Sequence, residues 1–387
     1  MGKSLVFVGG GHAHLTALLH LDQYVQRGHQ VTLISPSAYH YYSGMGPGML
    51  SGIYRPEEVR FHVKKLTQDR GGLFLEDRVV KVDPFRRSLI LSAGDPVPYD
   101  VVSFNTGSEI PIASLMAEPP ENVFPVKPVV NLLQARRSIL EVLPQKQLRF
   151  FVVGGGPAGV EIAANLWRLA VENNGQACIT LVAGKRLLSD FPEKVRGLAL
   201  NSLTKRGIEV REGSYVKKIQ RGMAVLSDAK ALTFDFAFVA MGIKPLSLFR
   251  DSALPTGEEG GLQVNAYLQS VAHPEIFGGG DCISLSGNPL AKVGVYAVRQ
   301  NPVLFHNLLA SLEGGEMQTF QPQKDYMLIF NMGNRRGILW KKDWVWESRL
   351  AFLLKDYIDR KFMKKFQVSG ELGEKNGGQN HFSGGAQ

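Results

Sequence analysis

The sequence predicts an α/β protein with two doubly wound parallel-sheet modules, the second nested in the first, and a C-terminal amphipathic helical element. Three observations carry this. Two glycine-rich turns, GGGHAH at 9–14 and GGGPAG at 154–159, each stand between an apolar strand and an apolar helix. Each is followed by another short apolar run, QVTLIS at 30–35 and CITLVAG at 178–184. Further on, YDVVSFNTGS (99–108) and FDFAFVAMGIKP (234–245) repeat one shape: an acidic residue opens an apolar strand that ends in a small residue and glycine. Continuous apolar strands that alternate with helices belong in parallel sheets covered on both faces.

In the first turn, Gly9 permits the sharp reversal and Gly11 lets backbone N–H groups, with His12 and Ala13 beside them, approach a pyrophosphate. The third glycine of G-x-G-x-x-G is replaced by His14, a change that touches only helix–strand packing. His12 and His14 are either packing and hydrogen-bonding residues or chemical ones beside the phosphate. The next strand ends at Ser35, where an acid would hold an adenosine ribose; its hydroxyl still bonds a 2′-OH. The second turn is complete, with Gly154, Gly156 and Gly159 enclosing Pro157 and Ala158. Two such turns in strand–turn–helix context mark two Rossmann-like dinucleotide-binding modules. After the second, the strand ends at Ala183, with Lys185 and Arg186 close behind. The missing acid and the nearby cations fit NADPH better than NADH, the alternative being solvated charges after a strand.

Bulk composition narrows the partners. The 387 residues exceed one ordinary core, and 44% hydrophobic with 20% charged residues is a globular balance. A formal charge of +9 points to an anionic partner: nucleic acid, lipid headgroups or phosphorylated ligands. Cys178 and Cys282 are the only cysteines, without C-x-x-C or a ligand cluster, so neither a disulfide scaffold nor a metal is expected. No signal peptide and no stretch of about 18 apolar residues is present, so an intracellular protein without a spanning helix is expected. In GILWKKDWVWESRLAFLLKDYIDRKFMKKF, three of the four tryptophans, Trp340, Trp344 and Trp346, adjoin a helical pattern. There Leu350, Leu354, Ile358, Phe362 and Phe366 recur at i+4 with cations opposite, a helix suited to an anionic membrane interface or to packing on protein. Nucleic acid ranks last, because the basic residues accompany a greasy helix rather than an exposed aromatic platform.

These motifs, with YSGMGPG at 42–48 and EIFGGGDCISL at 275–285, resemble the FAD-dependent pyridine nucleotide-disulfide oxidoreductases over roughly residues 4 to 366. The likeness is nearest to type II NADH dehydrogenases and sulfide:quinone reductases. Within these it is nearest to the flavoprotein found alone or fused ahead of selenide, water dikinase, which has a Gly-Gly-Gly-His-x-His turn. The order of turns and strands lays out a first module of residues 1–112 and 262–318, a second of 113–261, a membrane- or partner-binding element at 319–367 and a Gly/Asn/Gln-rich tail at 368–387 expected to be disordered; the resemblance implies FAD in the first module and NAD(P)H in the second. It places Ser43 and Gly44 along the flavin, the Val79 backbone at the adenine, and Thr106, Gly107 and Gly242 at strand ends facing the cofactors. Gly280 and Asp281 would hold the ribityl chain, and Val295 would open a helix toward the flavin pyrimidine edge. Glu161 would lie near the nicotinamide or bond the domain interface. Lys292, either a catalytic cation or an ordinary surface lysine, and Tyr296 complete the catalytic set. The glutamine of the quinone-side helix aligns with Val295. The expected activity is FAD-dependent NAD(P)H:quinone oxidation–reduction, on the cytoplasmic side of a membrane, with quinone and lipid as partners and a homodimer as an option. Alternatives are a sulfide or selenide:quinone reductase, or a flavin-binding partner of selenophosphate synthesis with little turnover.

Overall fold

The computed structural model describes residues 2–323 and 325–374. Two five-stranded parallel sheets organise them. The first runs Leu73–Glu76, Gln30–Ser35, Ser4–Val8, Val101–Phe104, Ile276–Gly278. The second runs Glu209–Arg211, Ala177–Val182, Leu148–Val153, Phe236–Val239, Val123–Pro125. Both carry a three-stranded antiparallel meander directly after the first-named edge strand, at Val79–Pro98 in one and Val216–Thr233 in the other. The central strands are mostly apolar and buried, as two-sided covering requires, with Arg149 near the amino end of Leu148–Val153 the exposed exception. The edge strands show the nesting. Ile276–Gly278, after the whole second sheet, returns to pair with Val101–Phe104 in the first.

The helix after the second turn, Pro157–Glu172, starts with proline in its first turn and buries Val160, Ala163, Ala164 and Leu166. The expected helix after the first turn is instead broken into His12–His14, Leu15–Leu19 and Asp22–Val25. The bulk of His14 and its bond to the Gly9 carbonyl accompany a tight 3₁₀ start there. Gly294–Glu313 is a continuous helix closed by Gly314 at φ +76°.

The C-terminal element is an antiparallel sheet of Leu328–Asn331, Gly337–Lys341 and Trp344–Ser348, followed by the helix Arg349–Phe366. Ser348 caps that helix, its hydroxyl accepting from the Ala351 N–H at 2.9 Å. The expected apolar row does not stay on one side of the boundary between solvent and protein. Leu350, Leu354 and Ile358 are exposed, Phe362 is half-buried and Phe366 is buried. The inward face is Ala351, Phe352, Asp359 and Met363, and Lys355, expected among the outer cations, is enclosed with it. Residues 368–374, expected to be disordered, pack on the first module instead: Glu371 is buried and accepts from the His62 N–H at 3.1 Å. The remainder of that tail, 375–387, lies outside the described residues.

Candidate functional site

At the first turn Gly9 adopts φ +87°, and a side chain there would strike the Asn105 carbonyl. A Cβ at Gly11 would strike the Asn105 side chain. Asn105 ties the turn together: its Oδ1 accepts from the Ala13 N–H at 3.2 Å and its Nδ2 donates to the Gly279 carbonyl. His14 fills the place of the third glycine with polar bonds. Its Nδ1 lies 2.7 Å from the Gly9 carbonyl and its Nε2 2.8 Å from the Ser103 hydroxyl. A carbonyl only accepts, so Nδ1 carries the proton and Nε2 accepts from Ser103. Burial drives this imidazole down to about 4, so it is neutral. His14 is a structural residue. His12 differs: its Nε2 is buried without a hydrogen-bond partner among the described residues, as is that of His40. Ser35, as expected, ends its strand buried, opposite Glu76, and Val79 opens the meander.

The carboxyl ends of the sheets converge. The segment after Thr106 and Gly107 bridges the segment after Gly242, with the Glu109 N–H donating to the Lys244 carbonyl at 2.8 Å and the reverse bond at 3.0 Å. Gly280, at φ +76°, sets Asp281 beside this junction, where the carboxylate meets Lys127 Nζ at 2.6 Å and the Ser108 hydroxyl at 2.9 Å. The Gly280 N–H donates to Gln300 Oε1 at 2.7 Å, tying the strand end to the helix Gly294–Glu313. The first turn of that helix has no side-chain cap. The space beside Gly294 is open, with Ser43 Oγ 3.9 Å from where a Cβ would stand. Ser43, Gly44 and Val295 are thus brought to one place, with uncapped N–H groups of a 20-residue helix aimed into it.

Lys292 and Tyr296 are engaged elsewhere. Lys292 Nζ donates to the Ile283 carbonyl at 2.5 Å and pairs with Glu259 at 3.1 Å. The Tyr296 hydroxyl donates to the Gln323 carbonyl at 3.3 Å, and its ring packs edge-on to Tyr326.

The second turn is a more regular cradle. Gly154 has φ +120° against the Ala240 carbonyl, and Gly159 lies so close to the Gly154 carbonyl that no side chain fits. Gly156 is extended, with open space beside it, and Pro157 and Ala158 are exposed at the start of a 16-residue helix. A turn so built, opening a helix at its N-terminus, has the geometry that suits a phosphate. Ala183 is buried against Gly155. Behind it Lys185 is exposed, whereas the Arg186 guanidinium pairs with Glu193.

Glu161 lies one turn into the same helix, under the C-terminal hairpin. Its Oε1 accepts from the Asn331 N–H at 2.6 Å. Burial pushes its carboxyl up to about 7, partly opposed by the charge of Lys355. Lys355 in turn donates to Asp359 at 2.6 Å and to the Gly44 carbonyl at 2.7 Å, while the Tyr42 hydroxyl donates to Asp359 at 3.0 Å. One enclosed network therefore joins the helix of the second cradle to the loop beside Ser43. Glu161, expected near the nicotinamide or at the domain interface, is bonded to the C-terminal hairpin. Lys127, Asn105, His40, Lys355 and Asp359 were not legible in the sequence, although Lys355 and Asp359 carry the i,i+4 spacing of a helical ion pair.

Cys282 is fully buried, with its thiol pushed up by burial and its sulfur on the Gly279 and Phe104 carbonyls. Cys178 is exposed near the amino end of Ala177–Val182, about 13 Å of strand from the cradle edge. Both sit apart from exchange chemistry.

FAD and a nicotinamide dinucleotide fit these residues. Each turn is packed so closely on neighbouring backbone and Asn105 that only glycine fits, and beside Gly156 the space is open. Around the first, two buried imidazole nitrogens lack protein partners. Comparison with known proteins agrees. Ferroptosis suppressor protein 1 of Taeniopygia guttata is 27% identical over 281 residues, 69% of this chain and 71% of that one. Demethylphylloquinone reductase NdbB of Synechocystis sp. is 24% identical over 324 residues, 80% of each. The fold is shared with NDH2 from Plasmodium falciparum, solved in complex with NADH, at a TM-score of 0.80 and 15% identity, covering 96% of this chain and 98% of that one. Matched over residues 3–307, a span that holds both cradles and Asp281, the chain belongs to the pyridine nucleotide-disulphide oxidoreductase family.

Proposed function

We propose that this chain is an FAD-dependent NAD(P)H:quinone oxidoreductase held at a membrane surface by its C-terminal helix. The first cradle, with Ser43, Gly44, Asp281 and the helix start at Val295, takes FAD. The second, with Gly154, Gly156 and Gly159, takes NAD(P)H, and Lys185 is the cation placed to favour a 2′-phosphate. The flavin supplies hydride acceptance from NAD(P)H and two-electron delivery to a quinone. The chain's own part is to orient the two cofactors across the Glu109–Lys244 bridge and to shield Glu161, Lys355 and Asp359 from water. A demethylphylloquinone reductase among the relatives supports quinone as acceptor. Neither cysteine stands where a sulfur relay would need it, which favours direct flavin chemistry over sulfide or selenide oxidation.

The observation that carries the reading is the two-faced helix Arg349–Phe366. Inward, Lys355 and Asp359 grip Gly44 and Tyr42 of the flavin-side loop. Outward, Leu350, Leu353, Leu354, Tyr357 and Ile358 are exposed beside Trp344 and Trp346. No helix among the described residues is long and apolar enough to cross a membrane, and an apolar stripe edged by Arg349, Lys361, Lys364 and Lys365 suits peripheral attachment. Such an anchor holds the flavin loop next to lipid-dissolved quinone.

Anaerobic reduction tests the chemistry: NADPH or NADH should bleach the flavin absorbance and a quinone should restore it. Bleaching by sulfide alone would overturn the reading. Replacing Leu350, Leu354 and Ile358 with serine should abolish co-flotation with anionic vesicles and turnover of a long-chain quinone, while turnover of a water-soluble short-chain quinone persists.

A further inference from the structure

We propose that His12 and His40 form a side-chain clamp on the linker of the bound FAD, between the glycine turn and Asp281. The inference rests on the first module being the FAD site, and it assigns two residues that the turn geometry alone does not require.

The two imidazoles come from different elements, one from the turn and one from the short strand His40–Tyr41. They meet edge-on with ring centroids 4.7 Å apart, and Tyr42 and Phe362 close over His12 at 5.2 and 6.0 Å. Three parts of the chain thus converge to enclose His12. Yet both Nε2 atoms end without a hydrogen-bond partner among the described residues. A buried polar nitrogen left unpaired is costly, and two in adjoining rings point to a partner that is not protein. His14 is the internal control. It shares the turn and is buried more completely, and both its nitrogens are satisfied, by Gly9 and Ser103.

Position identifies the partner. Lys127 acts electrostatically on both imidazoles, and its ammonium is bonded to Asp281 and Ser108. His12 directly follows the Gly9–Gly11 turn and His40 packs against His12, on the side of Lys127 and so of Asp281. On the proposed reading the turn and Asp281 are the stations of the pyrophosphate and the ribityl chain. Those groups offer phosphate oxygens and hydroxyls. A neutral imidazole serves either, donating its N–H to a phosphate oxygen or accepting from a hydroxyl. Burial and Lys127 keep both rings neutral, His12 titrating at about 4. The clamp also offsets the weak ribose contact at Ser35, where a hydroxyl stands in place of an acid.

His12→Phe and His40→Phe test this, because phenylalanine keeps the ring packing and removes the nitrogens. Apoprotein is titrated with FAD and followed by quenching of flavin fluorescence, and thermal midpoints are taken with and without FAD. Each variant should bind FAD about tenfold more weakly. Each apoprotein should melt at or above the wild-type apoprotein, since an unsatisfied buried nitrogen is gone, while the FAD-loaded form melts lower than its wild-type counterpart. His12→Gln, which keeps a side-chain N–H, should recover most of the affinity and serves if a phenylalanine variant misfolds. FAD dissociation constants within twofold of wild type for both phenylalanine variants, or apo and loaded midpoints that fall together, overturn the clamp. A wild-type chain that takes up no FAD overturns the cofactor assignment, and the clamp with it.

Discussion

Replacing Glu161 with glutamine should make the protein more stable, by a margin that opens as pH rises from 4.5 to 7 and is full above 7. The Glu161 carboxyl lies at about 7 against an ordinary 4.5, because enclosure under the C-terminal hairpin disfavours its charge more than Lys355 favours it. Between those two values the unfolded chain has released the proton and the folded chain still holds it. The stabilisation is therefore complete below 4.5 and lost as pH rises through 7. At roughly 1.4 kcal/mol per pH unit, the whole interval is worth about 3 kcal/mol. Glutamine is neutral throughout and still accepts from the Asn331 N–H, so it loses nothing as pH rises. Urea unfolding of the FAD-loaded wild type and Glu161→Gln should agree at pH 4.5 and separate by about 3 kcal/mol at pH 8 in favour of the variant. A gap that does not change with pH would refute the argument, since Lys355 would then be holding the carboxylate ionised at every pH. A gain in stability coupled to lost turnover would mark Glu161 as strained for function.

Three further outcomes follow from the same geometry. His14→Gly restores the missing third glycine yet should cost about 2–4 kcal/mol in urea unfolding, because it orphans the buried Ser103 hydroxyl and Gly9 carbonyl and opens a cavity. Lys355→Met strands the buried Asp359 carboxylate and should cost about 3–5 kcal/mol at pH 7, measured the same way. Gly154→Ala drives a methyl into the Ala240 carbonyl at φ +120° and should weaken NAD(P)H binding more than about tenfold with FAD content unchanged, read by calorimetric titration of the loaded protein.

Much of the fold was legible because parallel sheets are written as contiguous apolar runs. QVTLIS is the strand Gln30–Ser35 without adjustment, and the turn at 154–159 announces the strand before it and the helix after it. The shared shape of 99–108 and 234–245 corresponds to the two fourth strands, whose ends meet at Glu109 and Lys244. What escaped were contacts between residues far apart in the chain. Nothing local marks Lys127 in FPVKPVV as the partner of Asp281, because that pairing exists only once the second sheet is laid against the first.

The C-terminal helix shows the limit most clearly, because periodicity identifies a helix without saying which apolar face turns inward. Arg349–Phe366 carries two: Leu350, Leu353, Leu354, Tyr357 and Ile358 on one side, Ala351, Phe352, Met363 and Phe366 on the other. Hydrophobicity alone favours burying the first, which is larger. The second is buried because it also carries Lys355 and Asp359, whose charges find partners in Gly44, Tyr42 and each other. Turned the other way, those charges would be solvated, the loop beside Ser43 would lose its hold and Glu161 its counter-charge. A polar network therefore selects the orientation and leaves the greasier face outside. A face so large has reason to stay exposed only if something apolar meets it, and the inward contacts fix where that meeting occurs: one helix diameter, about 10 Å, from the flavin-side loop.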